Sequence, residues 1–129
     1  MAEKAKIQME YPMHCSPKVL YMRLATPAGL EEWFANKVNY ENTIYSFSWY
    51  EETRRAKVVA SKDLKFIRYK WLDDEDPLSY FEFKISIDEL TGDLSLVIVD
   101  YVNEGEQKEY MKLWDKLINE LKHVLGSNG

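Results

Sequence analysis

Between residues 104 and 126 the apolar positions recur three and four apart: Tyr110, Leu113, Trp114, Leu117, Ile118, Leu121, Val124 and Leu125. Lys108, Glu109, Lys112, Asp115, Lys116, Asn119, Glu120 and Lys122 occupy the opposite side. This spacing predicts one long amphipathic helix, ended by Gly126, which can take the left-handed conformation that stops a helix. Upstream the period changes. Ile7, Met9, Tyr11 and Met13 alternate with Lys6, Gln8 and Glu10, which predicts a half-buried strand over Lys4 to Met13, with Pro12 at its end or on a sheet edge. Ser16-Pro17 and Thr26-Pro27 each read as a capping residue followed by proline at the first helical position. They predict two short helices, the first through Val19, Leu20, Met22 and Leu24, the second running through Leu30, Trp33 and Phe34 to about Ala35-Asn36.

From Lys37 the chain reads as strand and turn. Tyr45, Phe47 and Trp49 alternate with serines and a tyrosine, Val58-Val59 centres a more polar strand, and Ile67, Tyr69 and Trp71 alternate with Arg68 and Lys70. Phe81, Phe83, Ile85 and Ile87 follow the same rule, and Leu94 to Tyr101 is apolar on both faces, as an interior strand is. Asp73 to Pro77 reads as an acidic, solvated hairpin tip and Thr91-Gly92-Asp93 as a tight hairpin. Short connections favour antiparallel neighbours. The order is strand, two short helices, about six strands, long helix. It predicts an α+β fold in which a curved antiparallel sheet of six or seven strands grips the C-terminal helix, all within one domain of residues 1–129, frayed at 126–129.

Two segments carry a more specific likeness. Thr26-Pro27-Ala28-Gly29-Leu30-Glu31-Glu32-Trp33-Phe34 resembles the "TP..L..WF" helix of the START-like, or Bet v 1-like, helix-grip superfamily, in its branch of activators of the ninety-kilodalton heat-shock chaperone's ATPase. The closing segment, Val99-Asp100-Tyr101 through Trp114 to Leu125-Gly126, is similar to a START-like subgroup common in Bacteroidetes-type bacteria. The resemblance spans nearly the whole chain and implies a helix-grip fold. Its members include lipid carriers, cyclases, hydrolases and chaperone partners, so it implies a fold more firmly than an activity. The shortness of this chain implies a small cavity.

Composition removes several alternatives. A net charge of -5, with dispersed Lys and Arg, argues against nucleic-acid binding, which draws on clustered cations. A single cysteine and an N-terminus without an apolar run lead to the expectation of a reducing cytoplasm, and no apolar stretch approaches the roughly 20 residues of a membrane span. Metal and cofactor motifs are absent from the sequence, and the two histidines lie far apart, so neither a metal nor a cofactor is expected.

Candidate chemistry is sparse. Adjacent residues in extended backbone point to opposite sides, so His14 and Cys15 make a poor dyad, and His123 falls on the polar side of the last helix. Asp100 interrupts an apolar strand. Burial there would raise its pKa and let it exchange a proton, alongside tyrosines or a strand arginine such as Arg68; the ordinary fate of such a residue is to emerge into the next loop and accept backbone N–H bonds near the helix start. Aromatic residues make up 14% of the chain, and their apolar bodies with polar tips suit a pocket as well as a filled core. Trp33, Phe34, Trp49, Tyr69, Trp71, Phe83, Tyr101, Tyr110, Trp114 and Leu117 are the candidate ligand-binding residues. The expected function is binding of a small apolar ligand, a lipid, acyl or aromatic molecule. A protein-interaction module is the alternative, and a cyclase or hydrolase the third reading.

Overall fold

The computed structural model describes residues 4–126. Alternating side chains build β1 (Lys4–Met13), whose Ile7, Met9 and Met13 turn inward; Pro12 sits near its end, where the strand forms one edge of the sheet and a missing N–H costs no ladder bond. Two short helices follow, α1 (Pro17–Ala25) and α2 (Pro27–Glu31). Six further strands complete an antiparallel sheet: β2 (Lys37–Glu41), β3 (Ile44–Trp49), β4 (Glu52–Lys62), β5 (Phe66–Trp71), β6 (Phe81–Ile87) and β7 (Leu94–Asn103). Helix α3 (Gln107–Val124) ends the described chain, with Gly126 at φ +63° as its stop requires. The expected fraying of residues 127–129 lies outside the described residues.

The strand order is β1-β7-β6-β5-β4-β3-β2, so β1 and β2 are the two edges and the two short helices carry the chain from one to the other. Helix α3 packs on β1 and β7, burying Trp114, Ile118 and Leu121. Three local readings differ from the sequence expectation. Helix α2 stops at Glu31, because the chain tightens into a turn that brings the amides of Phe34 and Ala35 back to the Leu30 carbonyl, leaving Trp33 and Phe34 beyond the helix. The β6–β7 connection takes six residues, Asp88 to Asp93, and is closed by the Asp88 carboxylate accepting from Leu90 and Thr91. Tight two-residue hairpins lie elsewhere, at Asn42-Thr43, both with positive φ, and at Tyr50-Glu51.

The end of α1 explains much of the core. The last carbonyls of a helix have no partner inside it. Here Met22 accepts from the Thr26 hydroxyl, Arg23 from the Trp33 indole, Leu24 from the Tyr69 hydroxyl and Ala25 from the Tyr45 hydroxyl. Three aromatic side chains thereby spend their polar tips on closing α1. Thr26 also accepts from the Gly29 amide, so one side chain ends α1 and starts α2. Replacing Thr26 with alanine is expected to cost about 1–2 kcal/mol, read from the urea midpoint, with no change in any property of the cleft described next.

Candidate functional site

The register of the sheet decides which side chains face α3. Cross-strand partners share a face, so Phe47↔Arg54 and Trp49↔Glu52 place Arg54 and Glu52 on the concave side with Phe47 and Trp49, and Ile7↔Asp100 does the same for Asp100. Nearest α1 and α2 this face is filled. Toward the β3–β4 and β5–β6 turns it is not, and a cleft of about 460 Å³ opens under the first half of α3. Phe34, Trp49, Trp71, Phe81 and Trp114 line it, with Leu113, Leu117 and Tyr110 descending from the helix. Phe34 is the hinge of the lining: its ring stacks on Trp114 at 5.9 Å and meets Trp49 edge-on at 5.7 Å. The Trp49 indole donates to the Phe34 carbonyl, which fixes the turn after α2 against the sheet.

Seven of the ten aromatic and leucine candidates therefore border one space: Phe34, Trp49, Trp71, Tyr101, Tyr110, Trp114 and Leu117. Tyr101 does so only at the rim. Its side chain belongs to the outer face, where its ring lies 5.0 Å from Tyr80. Trp33, Tyr69 and Phe83 are fully packed in the core and do not line the cleft; the first two are the caps of α1, and Phe83 lies against Trp33 at 5.5 Å.

Sequence reasoning missed the polar lining. Arg54 and Glu52 come from β4, and Lys4 and Asp74 reach the rim from β1 and the β5–β6 loop. Arg54 makes a bidentate pair with Asp73, at 2.9 and 2.7 Å, and its guanidinium lies 4.0 Å over the Trp71 ring. Hydrogen bonding from Arg54 holds the Asp73 carboxyl below its ordinary range. Asp74 accepts from the Asp76 amide and the Ser79 hydroxyl and lies 3.8 Å from Lys4. The acidic run is thus a solvated loop only in part: Asp73 and Glu75 stay exposed, while Asp74 is braced at the rim of the cleft. Arg68, the strand arginine expected beside Asp100, is on the outer face, paired with the buried Glu82 and lying over Tyr80.

Asp100 does not emerge into the loop. It is part-buried on the cleft floor, where one carboxylate oxygen accepts from the Trp114 indole at 3.0 Å and the other from the Tyr101 amide at 2.8 Å. Burial pushes its pKa up to about 6; the two N–H donors and the more distant Lys4 and Arg54 only partly oppose this. The folded state therefore holds this proton more tightly than the unfolded chain. Between the ordinary carboxylate pKa and about 6 the protein gains stability as pH falls, and above 6 the ionised group weakens the fold. Measured by urea unfolding, the stability difference between Asp100→Asn and wild type should be larger near pH 7.5 than near pH 4.5 by about 2 kcal/mol. Parallel pH curves would show that the carboxyl is not desolvated.

Chemically, the cleft offers flat apolar walls, one carboxyl poised to exchange a proton near neutrality, and cations already held by acids. Among the described residues its lining includes no Ser, Thr, Cys or His, and no three His, Cys, Asp or Glu residues converge on a common metal position. His14 and His123 are exposed, and Cys15 lies before α1.

The chain matches the START-like superfamily domain over residues 1–127. A Bacteroides fragilis protein of known solution structure is 39% identical, with 95% of this chain covering 92% of that one at a TM-score of 0.67. The Aha1 dimer from Colwellia psychrerythraea is similar at 18% identity and a TM-score of 0.73, over 94% of this chain and 96% of that one. A Mesorhizobium loti protein reaches a TM-score of 0.77 at 18% identity, over 97% and 99% of the two chains. Among curated proteins none matches.

Proposed function

The chain belongs to the START-like superfamily, and on that footing we propose that it is a binding protein that holds one small apolar ligand in the cleft between α3 and the concave face of the sheet. The observation that carries this reading is the unfilled half of the concave face. In a core packed to ordinary density, aromatic rings close on one another; around Phe34, Trp49, Trp71 and Trp114 they leave about 460 Å³, the size of a small-molecule pocket. The single cysteine supports a reducing, cytoplasmic setting, and among the described residues no helix is long and apolar enough to cross a membrane.

Native mass spectrometry of the protein recovered from its own host tests the reading. One extra small mass per chain, absent from a Leu117→Glu variant of unchanged fold, is the expected result. A bare chain that also takes up no apolar compound on titration would count against it. A second reading, a protein-contact module of the chaperone-activator kind, is supported by Tyr110, Met111 and Leu113, which remain exposed at the start of α3, and by the likeness to the Aha1 structure. It requires no bound small mass.

A further inference from the structure

The charges in the cleft are unequally satisfied. Both cations have acidic partners: Arg54 is gripped by Asp73, and Lys4 stands 3.8 Å from Asp74. Glu52 and Asp100 have no cationic partner within ion-pair distance among the described residues. Asp100 receives one N–H on each oxygen, which leaves a lone pair on each for a ligand. The walls around it are the faces and edges of Phe34, Trp49, Trp71 and Trp114, and an aromatic face is the negative pole of the ring. A guanidinium already rests on one of these faces, that of Trp71.

We propose that the ligand is an amphipathic amine whose apolar body lies along the aromatic walls and whose ammonium group sits against the Asp100 carboxylate, with Glu52 at the mouth reinforcing the sign. This rests on the cleft reading above and adds the chemistry of the occupant. A fatty carboxylate of the same length would bring a second negative charge beside Asp100 and Glu52, and the neighbouring cations would have to leave their acids to greet it. An ammonium needs no such exchange and repays the desolvation of Asp100.

The two classes of ligand should also respond to pH in opposite directions. The charged and titratable groups that share the cleft with Asp100 are Lys4 from β1, Glu52 and Arg54 from β4, Asp74 from the β5–β6 loop, Tyr110 from α3 and, at the rim, Tyr101. Asp74 is held ionised below its ordinary range, burial notwithstanding, by Ser79, the Asp76 amide and nearby cations. Asp100, at about 6, is the group whose charge changes near neutrality. Amine affinity therefore rises as pH increases through 6, and carboxylate affinity falls.

Titration of the intact protein with n-octylamine, 1-octanol and octanoate, followed by tryptophan emission, tests the proposal. Near pH 7.5 octylamine should bind at least about tenfold more tightly than octanoate, and near pH 5 the preference should shrink to about threefold or less. Asp100→Asn should flatten the pH dependence of both ligands. Glu52→Gln, a change at an exposed side chain, should reduce the preference a few-fold and serves as the test if Asp100→Asn folds poorly. Octanoate binding as tightly as octylamine near pH 7.5 would overturn the amine proposal and leave the cleft reading standing. Binding of none of the three would overturn both.

Discussion

Trp114→Ala should destabilise the protein by about 3–5 kcal/mol, the range for emptying a buried aromatic site, and lower the melting temperature by roughly 10–20 °C. The indole is almost fully buried, stacks on Phe34 at 5.9 Å and meets Phe83 edge-on at 5.8 Å. It is also the contact that seats α3 over the cleft, and its N–H is one of two donors to Asp100. Truncation removes packing and a charge-assisted hydrogen bond together. Trp114→Phe separates them through pH: it keeps a ring against Phe34 and loses the donor with part of the bicycle. The packing loss does not depend on pH, so the cost should be markedly smaller at pH 4.5, where Asp100 is mostly protonated, than at pH 7.5, and the difference is the share of the hydrogen bond. A melting temperature for Trp114→Ala near that of the wild type would contradict the packing of α3 on the sheet.

Gly29→Ala should be comparably severe for a single methyl group. Gly29 lies where α2 crosses α1, and a Cβ there would stand 2.1 Å from the Met22 carbonyl oxygen and 2.7 Å from the Arg23 Cα. Both obstacles are backbone, so no rotamer change can make room. The helices must separate, and with them go the Thr26 bridge to Met22 and the Trp33 bond to Arg23. The cost should reach or exceed about 3 kcal/mol, the upper end of ordinary overpacking. Ala28→Gly, one residue away on the exposed side of α2, should cost about 1 kcal/mol or less. Equal urea midpoints for the two variants would show that the crossing is looser than described.

The elements were legible in the sequence because their signals are local. Period-two alternation marked β1, β3, β5 and β6, Ser16-Pro17 and Thr26-Pro27 marked both short helices, and the 3.6-residue stripe marked α3. The cleft was legible only in part, because its boundary depends on where the short helices stop filling the concave face. Trp33 and Tyr69 have the composition of pocket residues, yet their polar tips close the end of α1, a contact across 10 and 45 residues that no local pattern encodes. Arg54 and Glu52 lie in the polar run of β4, where only the pairing with Phe47 and Trp49 reveals that they face inward. Tyr101 reaches only the rim of the cleft. It follows Asp100 in a strand, so both could not face the cleft.

The four tryptophans divide between the cleft and the core beneath it. Trp49, Trp71 and Trp114 line the cleft, whereas Trp33 is packed beneath it with its indole committed to Arg23. Following the four indole N–H resonances by NMR during titration with octylamine or 1-octanol tests the claim directly. Saturable, one-site shifts at Trp49, Trp71 and Trp114, with Trp33 unmoved, are the predicted result. Four resonances that stay still, or that drift together without saturation, would contradict it.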